Sequence, residues 1–159
     1  MILALDIGTK RIGVALGSPS TRLALPNKAI PRKNAENYVV TLVNDHNIST
    51  LVVGMPFNED GSRNEACERV EQFCRRVVRR LNARSDAIKD PKFKIITVDE
   101  YGSSVYVREE LQSNSAGRSK GERLKMRREG VVDCAAAAII LQQYLDNPDI
   151  WPELVSEDV

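Results

Sequence analysis

Three carboxylates occupy positions where a charge calls for a purpose. Asp6 follows Leu3-Ala4-Leu5 at the end of an apolar stretch that reads as a central strand, where an unpaired charge is expensive. Glu100 comes directly after a second apolar stretch, and Asp133 lies in the first turn of what reads as an Ala-rich helix. If the three converge, they repel one another and raise their own pKa values unless a divalent cation lies between them. A ligand set made only of oxygen suits Mg²⁺ or Mn²⁺ rather than Zn²⁺. Taken singly, Glu100 reads first as a turn residue and Asp133 as a partner of the helix dipole; Asp6 has no such ordinary use. Asp99 adjoins Glu100, but neighbouring strand residues point to opposite faces, which makes Asp99 the weaker candidate.

Basic residues gather near these acids. Arg118, Lys120, Arg123, Lys125, Arg127 and Arg128 stand against Glu122 alone, just ahead of the helix that carries Asp133. A positive, Gly-containing loop there is suited to the phosphate backbone of a nucleic acid; its plainer reading is a solvated loop. Lys10 and Arg11, close after Asp6, are placed to meet a phosphate, or to keep a hairpin turn soluble. Arg75, Arg76, Arg79 and Arg80 make a second stripe on the outward side of a helix, read either as a further basic surface or as helix charge that serves solubility. Aromatic residues are 5% of the chain and not interleaved with the basic ones, which argues against base stacking on single strands.

The elements that must position these residues follow from hydrophobic period. Residues 2–7 and 11–17 are short and rich in Ile, Leu and Val, joined by Gly8-Thr9-Lys10, and read as two antiparallel strands; a third covers 22–30. Asn34 is expected to cap a helix to about His46, with Ala35, Val39, Leu42, Val43 and His46 along one side, the histidine being structural. A buried strand at 50–54 ends in the loop 55–64. The clearest helical period runs over 64–84, where Ala66, Val70, Phe73, Cys74, Val77, Val78 and Leu81 recur at i, i+3, i+4 and i+7. A fifth strand at 93–98, a short helix from Ser103 to about Gln112, a Ser/Gly-rich loop at 113–121 and a helix at 131–145 complete the chain. Three strands and then alternating helix and strand imply an α/β domain with a five-stranded mixed sheet, three strands antiparallel and two parallel, flanked by helices.

At 159 residues the chain makes one domain with a real core, expected over 1–145, followed by an acidic tail at 146–159. That tail holds five acids and no Lys or Arg, so the remainder of a chain of net charge +1 carries +6 and is basic. The tail, with Trp151, has three open fates: folding back, meeting a partner, or staying free. No apolar run approaches a bilayer span, and Met1 opens directly onto a strand without a leader pattern. Three cysteines without CxxC spacing argue against both a disulfide framework and a zinc site. A cytoplasmic protein is expected, or an organellar-matrix one if a presequence has been removed; monomer and homodimer are both open.

With these residues in view, the chain resembles the YqgF-type pre-16S rRNA nucleases, relatives of the Holliday-junction resolvases in the RNase H-like superfamily. The resemblance rests on Leu5-Asp6-Ile7-Gly8-Thr9-Lys10-Arg11-Ile12-Gly13-Val14-Ala15, on Val52-Val53-Gly54-Met55-Pro56-Phe57-Asn58-Glu59-Asp60-Gly61-Ser62, on Val98-Asp99-Glu100, and on Val132-Asp133-Cys134-Ala135-Ala136-Ala137-Ala138-Ile139-Ile140-Leu141-Gln142. It implies an RNase H-like fold, Asp6, Glu100 and Asp133 as catalytic and metal-binding acids, and a cleft loop built from Gly54-Met55-Pro56 with Asn58 as a nucleic-acid contact. One departure is clear: Tyr101-Gly102 stand where the family carries Arg-Leu after its acidic pair.

The activity so implied is two-metal hydrolysis of a phosphodiester bond, with Asp6 serving both ions and Glu100 and Asp133 one each, in processing the 5′ end of precursor 16S-type rRNA. Branched DNA is the alternative substrate, since the chemistry is shared. Two readings of other classes stand beside it. Asp6-Ile7-Gly8-Thr9-Lys10 also looks like the first phosphate loop of actin-like ATPases, although the chain is short for two lobes and has no Walker A sequence. A non-catalytic rRNA-binding assembly factor is the other.

Overall fold

The computed structural model describes residues 1–83, 93–100 and 131–154. The expected short helix after Ser103, the 113–121 loop, the basic residues from Arg118 to Arg128 and the Tyr101-Gly102 departure lie outside the described residues. The elements run β1 (Ile2–Ile7), β2 (Arg11–Ser18), β3 (Leu23–Pro31), α1 (Ala35–Asp45), β4 (Thr50–Met55), α2 (Glu65–Ala83), β5 (Lys94–Asp99) and a last helix, here α3 (Val131–Asp146). They form a five-stranded sheet of order β3-β2-β1-β4-β5, antiparallel across β1–β2 and β2–β3 and parallel across β1–β4 and β4–β5. This is the mixed sheet expected from the order of elements.

Alternation along each strand divides the core into two layers. Leu3, Leu5, Ile12, Val14, Leu51 and Val53 face α1 and α2, where Val39, Val43, Phe73 and Val77 cover them. Ile2, Ala4, Ala15, Val52, Ile96 and Val98 face α3 and its Ala137, Ile140, Leu141 and Tyr144. Two glycines of β2 let α3 lie close against the sheet in this layer: Gly13 sits under the backbone of Asp133 and Cys134, and Gly17 under the side chains of Leu141 and Leu145.

The helix ends differ from expectation in two places. Asn34 adopts a left-handed conformation (φ 61°) and makes no side-chain cap bond to α1. The side-chain cap of α2, by contrast, is real: Asn64 Oδ1 accepts the Cys67 N–H at 3.1 Å, while its amide donates to Pro56 O at 2.7 Å and to Asn58 Oδ1 at 2.9 Å. His46 is exposed at the C-terminus of α1 rather than aligned with the apolar side, because the helix ends before it can turn inward.

The arginine stripe on α2 is also not a uniformly solvated face. Arg76 Nε and Arg32 Nη1 lie 2.9 and 3.1 Å from Glu36 Oε1, and Arg80 Nη1 lies 3.7 Å from Oε2, so one buried carboxylate of α1 gathers cations from α2 and the β3–α1 junction. Burial alone would raise the Glu36 pKa, but the backbone hydrogen bond and those from Arg76 and Arg32 bring it below the ordinary range. Cys67 and Cys74 are buried in the same layer. Burial, reinforced by Glu71, pushes the Cys74 thiol up to about 12, which leaves it unreactive at neutral pH.

The first part of the tail, through Leu154, folds back. Thr97 N–H donates to Pro152 O at 2.9 Å and Leu154 N–H to Ile95 O at 2.8 Å, so residues 152–154 line the outer edge of β5. Trp151 packs against the α3 layer and donates to Gln143 O at 3.3 Å. Thus the first part of the acidic tail covers an otherwise open strand edge. No helix among the described residues is long and apolar enough to cross a membrane.

Candidate active site

Asp6, Gly13, Gly54 and Val98 share one parity of the sheet, the parity that faces α3. Asp6 pairs with Gly13 across the β1–β2 ladder, and continuing the Leu5–Val53 register sets Asp6 level with Gly54 on the other side. Asp6 is therefore flanked by glycine on both neighbouring strands. Each glycine makes room for a different acid.

On the β4 side, a Cβ on Gly54 would stand 2.6 Å from Glu100 Oε2 and 2.6 Å from Ile140 Cδ1. Strands lie roughly 4.8 Å apart, so side chains on β1 and beyond the end of β5 are two strand spacings from each other. Asp6 and Glu100 meet across β4 because Gly54 offers no side chain between them. Glu100 is fixed by its backbone N–H, which donates to Met55 O at 3.2 Å. Its carboxyl group is pushed up to about 8, first by burial, then by the charge of Asp6 and a hydrogen bond to Asp6, and last by Asp99. Asp99 itself points out and is exposed, in keeping with its opposite parity.

On the β2 side, a Cβ on Gly13 would fall on the carbonyl group of Asp133 and 2.8 Å from Cys134 N. The first turn of α3 rests directly on bare backbone, and this brings Asp133 to the strand position beside Asp6. Its carboxylate is turned to Arg11, whose Nε lies 3.6 Å from Asp133 Oδ2. Asp6 and Glu100 thus touch, and Asp133 stands on the same face with its charge met by Arg11. Among the described residues, no group of three His, Cys, Asp or Glu side chains is gathered closely enough to hold a metal ion.

Of the other predicted contacts, Lys10 is exposed in the β1–β2 turn, which Gly8 closes by donating its N–H to Arg11 O at 2.9 Å. Asn58 is engaged within its own loop, donating to Ser62 Oγ at 2.9 Å and accepting from Asn64. Sequence reasoning missed Gly13 as the seat of α3, and it missed Arg32 and Arg69. These two line a cleft of about 420 Å³ that also contains Thr9, Pro56, Ala66 and Glu100. Parity counting from Asp6 would have found Gly13; no local signal singles out Arg69.

The raised Glu100 carboxyl carries a pH prediction for protein held in chelator. An acid whose folded pKa lies near 8 against an ordinary 4.5 gives its full stability below 4.5 and loses it as pH rises through 8. Glu100→Gln removes that loss. At pH 8.5 the variant is expected to melt roughly 5 °C above wild type, for about 2 kcal/mol after allowance for sharing of the proton with Asp6, and at pH 4.5 to melt with it. Parallel melting curves at both pH values would refute the assignment.

A mixed five-stranded sheet between helices, with acids brought together at the C-terminal ends of its parallel strands, defines an RNase H-like protein. The solved RuvC of Thermus thermophilus in complex with a Holliday junction has this fold, at a TM-score of 0.53 and 11% identity over 96% of this chain and 98% of that one. The family model described as RuvX, Holliday junction resolvase, matches residues 1–147. The chain belongs to this family of nucleases. Among curated relatives, a protein of Paraburkholderia phytofirmans named "Putative pre-16S rRNA nuclease" is 36% identical over 149 residues, 92% of this chain and 88% of the relative. One of the same name from Chlorobium phaeobacteroides is 30% identical over 146 residues, 92% of each.

Proposed function

We propose that this protein is a divalent-metal-dependent endonuclease that processes the 5′ end of precursor 16S-type rRNA. The observation that carries the reading is the contact between Asp6 and Glu100. Two carboxylates are pressed together in a partly buried position, with one of them driven up to about 8. Such a pair costs free energy as it stands, and a cation relieves it. The donors are all oxygen, which fits Mg²⁺ or Mn²⁺. Asp6 and Glu100 would hold the ion, with Asp133 as a third ligand, and the same three residues would hold the ions of a two-metal site. When bound, the metal supplies Lewis acidity for the attacking water and charge neutralisation at the phosphate.

The chain's own residues account for the rest. Gly54 lets Glu100 reach Asp6, and Gly13 seats the turn that carries Asp133 on the same face of the sheet. Arg11 keeps the Asp133 carboxylate from adding its full charge to the Asp6–Glu100 pair. The basic residues Arg118, Lys120, Arg123, Lys125, Arg127 and Arg128 precede α3 in sequence and would supply the charge to grip a phosphate backbone, with Lys10 in the β1–β2 turn as a further contact.

The names of the curated relatives favour precursor rRNA, and the description of the family model favours branched DNA. Both substrates assayed side by side with Mg²⁺ decide between them. Cleavage of the precursor at its 5′ end, with a four-way junction left intact, is the expected result; the reverse pattern would assign resolvase activity, and inertness toward both would leave an RNA-binding assembly factor.

A further inference from the structure

The cleft that contains Glu100 continues away from the acid pair, between the β1–β2 turn and the start of α2. Two arginines line it, and their surroundings differ from those of the other cations nearby. Arg76 and Arg80 are directed at Glu36, Arg63 lies 2.6 Å from Glu71, and Arg11 serves Asp133. Arg69 is exposed and makes no hydrogen bond or ion pair among the described residues. Arg32 is held in place by one Nη1 bond to Glu36 and by the Phe73 ring, 4.6 Å from its guanidinium carbon. The remaining donors of its fork have no partner among the described residues. Thr9 lines the same cleft, and its hydroxyl likewise has no partner there.

We propose that this cleft seats a phosphodiester adjacent to the one being cut, with Arg69 as the mobile cation that engages it and Arg32 as the fixed fork behind. The proposal rests on the nuclease reading and extends it by naming where the substrate strand runs. The chemistry is matched: a phosphodiester is a planar-approach oxygen acceptor with one negative charge, which guanidinium groups bind in a bidentate manner. A preformed fork costs little ordering on binding, because Phe73 and Glu36 already hold it. The same geometry explains why Glu36 draws three arginines: it fixes Arg32 at the mouth of the cleft while leaving part of its fork free.

The test uses Arg69→Gln, an exposed site where the fold is not at stake, with Arg79→Gln on the same helix as control. Binding of a labelled precursor-rRNA fragment is measured in the Asp6→Asn background between 50 and 200 mM salt, and kcat and KM in the wild-type background. Arg69→Gln is expected to weaken binding about five- to tenfold, to lower the salt slope by about 0.7 to 0.9, and to raise KM with kcat changed less than about threefold. Binding and slope equal to those of Arg79→Gln would overturn the proposal. So would displacement of the RNA by micromolar ATP that Arg69→Gln abolishes, since that outcome makes the cleft a nucleotide pocket. Absence of cleavage by the wild type would refute the nuclease reading separately, and the binding comparison would still judge the cleft.

Discussion

Asp6→Asn is expected to lower Mg²⁺-dependent cleavage by about 10³-fold or more, equivalent to about 4 kcal/mol of barrier, while the protein folds as before. Asn keeps the volume and the strand position but removes the charge at the point where Glu100 makes contact. Asp6 lies between two glycines, and its charge and hydrogen bond act on the Glu100 carboxyl group. The variant should therefore be no less stable than wild type in chelator, and more stable above neutral pH, because the repulsion on Glu100 is gone. Addition of Mg²⁺ is expected to raise the wild-type melting temperature and leave that of the variant flat. Full activity in Asp6→Asn, or equal response of both proteins to Mg²⁺, would remove the acid pair from the mechanism.

The second large effect is structural. Gly13→Ala should destabilise the protein by about 3 kcal/mol, a fall of roughly 10 °C in melting temperature, and should abolish activity even where the variant is folded. The added carbon would collide with the Asp133 carbonyl group and the Cys134 amide, which are backbone atoms. No rotamer change relieves that clash; α3 has to lift. It carries Ala136, Ala137, Ile140 and Leu141 of the core and also Asp133, so packing and site are lost together. Gly61→Ala is the control. Gly61 has φ +81°, but a Cβ there would meet nothing within 4 Å, so only local strain of about 1 kcal/mol is expected. A Gly13→Ala protein melting no lower than Gly61→Ala would show that α3 does not dock as described.

Every strand and helix within the described residues begins and ends within a residue or two of where hydrophobic period sets it. The period is local: Leu3 and Leu5 against Ile2 and Ala4 already separate the two faces of β1, and Val70, Phe73, Cys74 and Val77 already mark the inner side of α2. Where the reading failed, a short-range rule met a longer-range competitor. Asn34 has the right type for a cap but a left-handed backbone, because the turn out of β3 constrains it. Arg76 and Arg80 resemble solvated helix charges until α1 brings Glu36 beneath them.

Sequence alone determined the alternation that puts Asp6 on one face of the sheet, the order of strands and helices, and the unusual charge at the end of an apolar strand. Only the tertiary structure decided that Gly54 lets Glu100 reach Asp6 across an intervening strand, that Gly13 seats the helix bearing Asp133, and that Arg69 faces the same cleft as Glu100. The reason is physical: periodicity and propensity act over a few neighbouring residues, whereas the gaps left by missing side chains have meaning only once three strands and a helix lie against one another.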